Sequence, residues 1–296
     1  MTRLIASLAE VSGQYDAVFC DLWGCLHNGK VAFPAAVAAL HAARAQGVTV
    51  VLLTNAPRPK SSVAAQLDRL GVPRNAWDEI VTSGDAAQFA LVTGAVGRRI
   101  HHIGAPKDEP FFTDFAADIA AVAAGQPPVQ RVTLDEAEGI VCTGLRDDLT
   151  ETPADYRATL MMAKQLGLPM LCANPDIVVD FGDRRLWCAG ALARDYEGMG
   201  GRALYFGKPH PPIYDLARRR LSARTKAEAP AILCIGDGVG TDVQGGLAEG
   251  LDVMFVTGGI ESAAFGPDAQ RPDPARLETW LAERALSPVW AIPHLA

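Results

Sequence analysis

Residues 17 to 29 read Ala-Val-Phe-Cys-Asp-Leu-Trp-Gly-Cys-Leu-His-Asn-Gly. An apolar run ends on the carboxylate of Asp21, Gly24 follows three positions later, and Asn28 with Gly29 closes a turn. This pattern predicts a buried strand with an acid directly after it. Because ligands of open α/β sheets bind outside the carboxyl ends of the strands, Asp21 is a candidate for chemistry. An aspartate that only begins a turn is the structural alternative.

The residues that follow alternate between helix and strand signals. Pro34 opens a helix that Gly47 ends. Residues 48 to 53 are apolar or β-branched without interruption, which is typical of strands covered on both faces, and Thr54 and Asn55 come directly after them. The repeated strand and helix units predict an α/β fold with a Rossmann-like parallel sheet.

The pattern of the sequence changes at about residue 83. Residues 86 to 200 carry strand and helix signals of their own, including a strand that leads to Asn174-Pro175-Asp176. A strand-like run at 203 to 206 then returns to the first pattern. We therefore predict a discontinuous core domain, 1–85 and 201–296, with a second α/β domain inserted at 86–200.

Polar residues also follow the later strands of the predicted core. Lys208 stands in the sequence Gly-Lys-Pro, and Asp237 and Asp242 stand in a glycine-rich loop after an apolar run. Carboxylates gathered at the mouth of a sheet repel one another unless a counter-charge is present. A hard divalent cation with oxygen ligands, best matched by Mg²⁺, together with a phosphate group would satisfy them. A metal ion and a lysine beside a phosphoryl group also allow a carboxylate to act as nucleophile.

Four ordered motifs carry a resemblance to a known family. Asp21-x-x-Gly24, Thr54-Asn55, Gly207-Lys208-Pro209 and Gly236-Asp237-x-x-x-Thr241-Asp242 resemble the motifs of the haloacid dehalogenase (HAD) superfamily of aspartate-nucleophile hydrolases. The insertion with Asn174-Pro175-Asp176 is similar to the C2-type cap of the class IIA sugar and nucleotide phosphatases. The resemblance implies a HAD core with an inserted α/β cap domain.

The resemblance also implies catalytic roles. Asp21 would form a phospho-aspartyl intermediate, Thr54 would hold the phosphoryl oxygens, and Lys208 would bridge Asp21 and the phosphate. The expected reaction is the Mg²⁺-dependent hydrolysis of a small sugar- or nucleotide-phosphate-like ester.

Metal and substrate contacts follow from the same resemblance. The implied Mg²⁺ ligands are Asp21, the backbone carbonyl of Trp23 and Asp237, with Asp242 in support. Further substrate contacts are expected from Asn55, Leu22, Gly238 and, in the cap, Asp176.

One position departs from the family pattern. The phosphatases of the family carry a second aspartate two positions after the nucleophile, and Trp23 occupies that position here. That aspartate protonates the leaving group and later activates water, so its absence removes proton transfer while leaving the backbone ligand of the metal. His27 or Asp176 could take its place, although a histidine after a strand is also an ordinary turn residue. The alternative function is therefore a catalytically weak protein that binds or senses a phosphorylated ligand.

Composition and charge exclude several other classes. The 296 residues carry a net charge of −7 and no basic run stands out, since the cluster Arg218-Arg219-Arg220 is best interpreted as a solvated helix face, so nucleic acid is not an expected partner. No apolar segment is long enough for a membrane span and the N-terminus does not resemble a secretory signal, so we expect no membrane association. The six cysteines form no Cys-x-x-Cys pair and are expected to be reduced core residues of a cytoplasmic protein. The sequence leaves a homo-oligomeric state open.

The glycines near Asp237 raise the alternative of a dinucleotide-binding oxidoreductase. The loop lacks the spacing Gly-x-Gly-x-x-Gly, and Asp242 would stand where a pyrophosphate should dock. The sequence also contains no Gly-x-x-x-x-Gly-Lys-Ser/Thr loop, which excludes an NTPase of that type.

Overall fold

The computed structural model describes residues 2–181, 184–225 and 227–296, which form α/β structure. The strands are β1 (Arg3–Leu4), β2 (Ala17–Cys20), β3 (Thr49–Thr54), β4 (Glu79–Thr82), β5 (Arg99–Ile103), β6 (Gln130–Arg131), β7 (Gly139–Cys142), β8 (Pro169–Cys172), β9 (Val178–Phe181), β10 (Arg184–Trp187), β11 (Arg202–Tyr205), β12 (Ile232–Gly236), β13 (Asp252–Val256) and β14 (Trp290–Ile292). The helices are α1 (Pro34–Ala45), α2 (Lys60–Arg69), α3 (Ser83–Val92), α4 (Pro110–Thr113), α5 (Ala117–Ala123), α6 (Arg157–Gln165), α7 (Ala189–Gly198), α8 (Pro211–Ser222), α9 (Gln244–Ala248) and α10 (Pro274–Glu283). Among the described residues, no helix is both long enough and apolar enough to span a membrane.

The chain divides into two compact units. The first unit comprises Met1–Thr54, Gln66–Val81 and Tyr214–Ala296. The second comprises Asn55–Ala65 and Thr82–Ile213. The limits of an inserted domain at 86 and 200, set from the sequence pattern, stay a prediction.

The first unit is built on a seven-stranded sheet in the order β1-β14-β13-β12-β2-β3-β4. β2 lies near its centre and pairs in parallel with β12 on one side and β3 on the other. All four residues of β2 and all five of β12 are buried, which explains why both strands are apolar without alternation. The parallel register brings the carboxyl ends of β2, β3 and β12 to one edge of the sheet, and the predicted α/β core is confirmed.

The second unit has its own parallel sheet in the order β11-β8-β7-β5-β6. β9 and β10 form a separate antiparallel hairpin. The core of this unit is apolar and includes buried side chains of β7, β8, α6 and α7, among them Ile140, Met170, Leu160 and Tyr196. The phenolic hydroxyl of Tyr196 is satisfied within this core, because it donates to the backbone oxygen of Leu168 at 2.6 Å.

One strand joins a different sheet from the one that its position suggests. The strand-like run at 203 to 206 predicts the return of the core domain. In the structure Arg202–Tyr205 forms β11, which pairs in parallel with β8 at the edge of the five-stranded sheet. The reason is tertiary: the apolar pattern of a four-residue strand predicts that it pairs, but it does not encode which neighbour it pairs with.

Candidate active site

Asp21 is the first residue after β2 and its side chain is only 7% exposed. Its backbone N–H donates to the backbone oxygen of Ile235 at 2.9 Å and so extends the pairing of β2 with β12 by one residue. The chain then turns sharply, because the N–H groups of Leu26 and His27 both donate to the backbone oxygen of Leu22. Asp21 is therefore held by the sheet on one side and by a compact turn on the other.

Asp237 follows β12, the strand next to β2, and is 2% exposed. Its carboxylate lies against two glycines. A Cβ atom at Gly24 would lie 2.1 Å from Asp237 Oδ2, and one at Gly259 would lie 2.0 Å from the same atom. The backbone N–H of Ile260 donates to Oδ2 at 3.1 Å. Gly24 also adopts a φ of +77°, which a side chain would disfavour, so this position requires glycine for two reasons.

Asp21 and Asp237 form a compact group of donor atoms with Cys25. One ligand atom from each of the three residues lies within 4.8 Å of the others, and all three residues are buried. Two carboxylates at this spacing fit a hard divalent cation with oxygen ligands. Burial, followed by the negative charges of Asp237 and Asp21, raises the pKa of the Cys25 thiol well above its usual range.

Asp242 shapes the loop that carries Asp237. Its Oδ2 accepts hydrogen bonds from the backbone N–H of Gly238 at 3.2 Å and from Thr241 Oγ1 at 3.3 Å. A Cβ atom at Gly236 would lie 2.1 Å from Asp242 Cγ, so the carboxylate packs directly on the end of β12. Asp242 thus holds the shape of the loop, and its predicted support of the metal ion stays a prediction. The hydrogen bond to Asp242 also engages the backbone N–H of Gly238, and the predicted contact of Gly238 with substrate stays a prediction.

Trp23 and His27 pack on each other within the turn after Asp21. Their rings meet edge to face with centroids 5.3 Å apart. The indole also covers Gly29, where a Cβ atom would lie 2.3 Å from a ring carbon. His27 is buried, and its Nδ1 accepts from the backbone N–H of Gly29 at 3.1 Å. These contacts give both side chains a part in shaping the turn, and a role of His27 in proton transfer stays a prediction.

Thr54 and Leu22 are the remaining predicted site residues of the first unit. Thr54 is the last residue of β3, the other neighbour of β2, and Leu22 follows Asp21 in the turn. Both are buried. The carboxyl edge of the seven-stranded sheet thus brings together the ends of the strands that carry the first, second and fourth predicted motifs.

In the second unit, the structure joins Asn55, Lys208 and Asp176. Asn55 Oδ1 accepts from the backbone N–H of Lys208 at 2.7 Å, and Asn55 Nδ2 donates to the backbone oxygen of Lys208 at 3.0 Å. The same Nδ2 donates to Asp176 Oδ1 at 2.8 Å. Asn55 is 5% exposed and both of its N–H groups are engaged. The geometry therefore favours a positioning role for Asn55, and its predicted contact with substrate stays a prediction.

Sequence reasoning missed Cys25 and the loop after β13. The sequence pattern predicts only a core role for Cys25, as for the other cysteines, although this residue directly follows the Asp21-x-x-Gly24 motif. Gly259 and Ile260 follow β13, and the pair Gly258-Gly259 at the end of an apolar run was a usable signal. Their contact with Asp237 could not be read from the sequence, since it depends on the pairing of β12 with β13.

Comparisons with known proteins agree with this arrangement. A family model described as "Haloacid dehalogenase-like hydrolase" matches residues 18–116, and a second, described as HAD-hydrolase-like, matches residues 205–279. A crystal structure of a haloacid dehalogenase-like hydrolase from Brucella suis 1330 is 42% identical, with a TM-score of 0.83, and the alignment covers 99% of this chain and all of that one.

Two curated relatives have named activities. D-glycerol 3-phosphate phosphatase of Mycobacterium tuberculosis is 28% identical over 277 residues, which are 93% of this chain and 71% of that protein. Ribonucleotide monophosphatase NagD of Escherichia coli K12 is 25% identical over 252 residues, which are 83% of this chain and 88% of that protein.

The glycerol phosphate phosphatase has also been solved in complex with calcium and in complex with magnesium. The calcium complex is 26% identical with a TM-score of 0.65, and the match covers 88% of this chain and 73% of that one.

The alignment with the Brucella protein spans both segments that the two family models match and the residues between them. It therefore includes the motif residues and the second unit. The HAD resemblance predicted from the four motifs and the class IIA resemblance predicted from the insertion are both confirmed by these relatives. The chain belongs to the haloacid dehalogenase-like hydrolase family.

Proposed function

We propose that this protein is a Mg²⁺-dependent phosphatase that hydrolyses a small phosphate ester through a phospho-aspartyl intermediate on Asp21. The observation that carries the proposal is the buried pair of carboxylates, Asp21 and Asp237, at the ends of two adjacent parallel strands. The phosphatase activities of the glycerol phosphate and nucleotide relatives support it. Their names also suggest the substrate class, a small sugar-, polyol- or nucleotide-phosphate.

The residues predicted for the reaction divide the chemistry between them. Asp21, Asp237 and the backbone carbonyl of Trp23 would hold Mg²⁺, which offsets the negative charge of the carboxylates and the phosphoryl group. The free carboxylate oxygen of Asp21 attacks phosphorus, and the bond from phosphorus to the ester oxygen breaks. Water then attacks the aspartyl phosphate, releases inorganic phosphate and restores the carboxylate. Thr54 and Lys208 are proposed to bind the phosphoryl oxygens.

Proton transfer is the step for which Trp23 matters. The leaving oxygen must take up a proton unless it is stable as an anion, and the attacking water must lose one. An indole can do neither. We therefore expect the wild-type rate to depend steeply on the pKa of the leaving group, with aryl and acyl phosphates favoured over alkyl phosphates. We also expect the aspartyl phosphate to accumulate, because water activation is slow.

The test is a panel of phosphate monoesters whose leaving groups span a range of pKa, assayed with and without Mg²⁺. Trp23→Asp should raise turnover of the alkyl phosphates by about 10²- to 10⁴-fold, the usual range for a positioned acid or base, and should flatten the dependence on the leaving group. Trp23→Asn is the matched control, since asparagine has the same size as aspartate and cannot transfer a proton. Rates are compared per folded protein, because removal of the indole leaves space next to Gly29 and His27.

A second function, binding of a phosphorylated ligand with little turnover, is favoured by Trp23 itself. It predicts that phosphate binds in a Mg²⁺-dependent manner while the wild type turns over none of the esters. A folded Trp23→Asp variant that also hydrolyses none of them would contradict the phosphatase proposal and leave the binding function.

A further inference from the structure

Cys25 lies beside the two carboxylates of the proposed site, and the proposed reaction does not use its thiol. Its side chain is 1% exposed, and its Sγ lies within 4.8 Å of ligand oxygens of both Asp21 and Asp237. Within the described part of the chain, no hydrogen bond is formed by this thiol. Cys142 and Cys172, by contrast, each lie within hydrogen-bonding distance of a backbone oxygen two residues later. Cys25 is thus a buried polar group without a hydrogen-bond partner, next to two carboxylates.

The donor set mixes hard and soft ligands. Mg²⁺ prefers oxygen and has little affinity for sulfur, so it would use the carboxylates and leave Cys25 protonated. Zinc and cadmium accept thiolate together with carboxylate. With metal–ligand bonds of about 2.0–2.3 Å, the ligand atoms around a tetrahedral zinc ion lie roughly 3.5 Å apart. Donor atoms already within 4.8 Å of one another need only small side-chain adjustments to reach that spacing.

We propose that Asp21, Cys25 and Asp237 form a second binding mode of the same site, in which a soft divalent cation of the zinc and cadmium class binds through the Cys25 thiolate and excludes Mg²⁺. A sulfur–metal bond forms, the thiol proton is released to solvent and no electrons are transferred. This inference rests on the metal site of the proposed function and adds the selectivity of that site. Its consequence is that traces of zinc would compete with Mg²⁺ more strongly than at a site made of oxygen ligands alone.

The experiment titrates the full chain with Cd²⁺ in the absence of Mg²⁺ and follows the ultraviolet sulfur-to-cadmium charge-transfer absorption. One cadmium ion per chain should produce the band, and Zn²⁺ should remove it by competition. Cys25→Ser should abolish the band and weaken cadmium binding by about 100-fold, because one of three protein ligands changes from soft to hard. Mg²⁺ affinity, measured by calorimetry, should change by less than about threefold, since Mg²⁺ does not use the sulfur.

Cys142→Ser is the matched control. This cysteine is equally buried, lies in the second unit and should leave the band unchanged. If Cys25→Ser loses its cooperative thermal transition, Cys25→Ala serves as the second variant with the same expected loss. A band of equal strength in both Cys25 variants, or no band in the wild type, would overturn the inference.

The outcomes also separate this inference from the proposed function. Mg²⁺ binding without a Cys25-dependent cadmium band would overturn the inference alone. A Cys25-dependent band in a protein that binds no Mg²⁺ would overturn the proposed function and leave the soft-metal site standing.

Discussion

Asn55→Asp tests whether the Asn55 side chain holds Lys208 in place. The substitution keeps the size of the side chain and an oxygen that can accept from the backbone N–H of Lys208. It replaces the amide donor with a second oxygen, which then faces the backbone oxygen of Lys208 and Oδ1 of Asp176 across the former hydrogen-bond distances of 3.0 and 2.8 Å.

The structure sets the size of the expected effect. The backbone oxygen of Lys208 becomes a buried acceptor that has lost this donor, which costs about 1–3 kcal/mol. Asp176 is half-buried and keeps some access to water, so the lost hydrogen bond there is worth less, about 1 kcal/mol. We expect the free energy of unfolding to fall by about 2–4 kcal/mol, measured by urea denaturation. If Lys208 binds the phosphoryl group as proposed, kcat should fall more than KM rises.

A second substitution provides the decisive comparison. Asp176→Asn in the Asn55→Asp background supplies an amide donor from the opposite side, and it should recover about 1 kcal/mol in a double-mutant cycle. Asn28→Asp is the control, because Asn28 uses only its Oδ1 as an acceptor, from the N–H groups of Lys30 and Val31, and an aspartate preserves both bonds. Equal unfolding free energies for Asn55→Asp and the wild type, or no recovery in the double variant, would refute the positioning role.

Three further predictions concern the carboxylate pair and the second unit. Asp237→Asn should weaken Mg²⁺ binding by at least about tenfold in calorimetry, and equal affinity would show that the metal binds elsewhere. Gly259→Ala should also weaken Mg²⁺ binding, because the new Cβ would lie 2.0 Å from Asp237 Oδ2. Gly240→Ala, in the loop after β12, is the control and should leave Mg²⁺ binding unchanged, because its Cβ would meet nothing within 4 Å. Burial lowers the pKa of His102 from 6.5 to about 4. Between these two pH values the unfolded chain takes up a proton at this residue and the folded chain does not. We therefore expect up to about 3 kcal/mol of stability to be lost as the pH falls from about 6.5 to about 4. The loss should be absent in His102→Gln, whose denaturation curves are compared with those of the wild type across this window.

The parts of the site that the sequence predicted are those that depend on strand ends. Asp21 and Asp237 each follow an uninterrupted apolar run, and a parallel sheet brings the carboxyl ends of its strands to one edge. The sequence pattern therefore placed both acids at the same edge before their distance was known. The fold class follows from the same alternation of strands and helices.

The parts that could not be predicted depend on contacts between distant segments. Nothing in the four residues of β11 specifies pairing with β8, and nothing in the sequence around Asn55 shows that its amide is engaged by Lys208 and Asp176. Cys25 was assigned to the core because burial is the usual state of cysteine, and its distance from the carboxylates becomes apparent only in three dimensions.

The pairing of β2 affects how the chain folds while it is being synthesised. β3 leaves the ribosome soon after β2 and can cover one of its edges, but the other edge pairs with β12, and Phe19 meets Cys234 about 215 residues later. At about 5–20 residues per second, that edge waits roughly 10–40 s for its partner. During this interval the apolar strand that leads to Asp21 has unpaired backbone groups and can pair with another nascent chain. The five-stranded sheet lies wholly within the intervening segment and can form during the wait, so we expect misfolding during synthesis to involve the Asp21 strand more than the second unit.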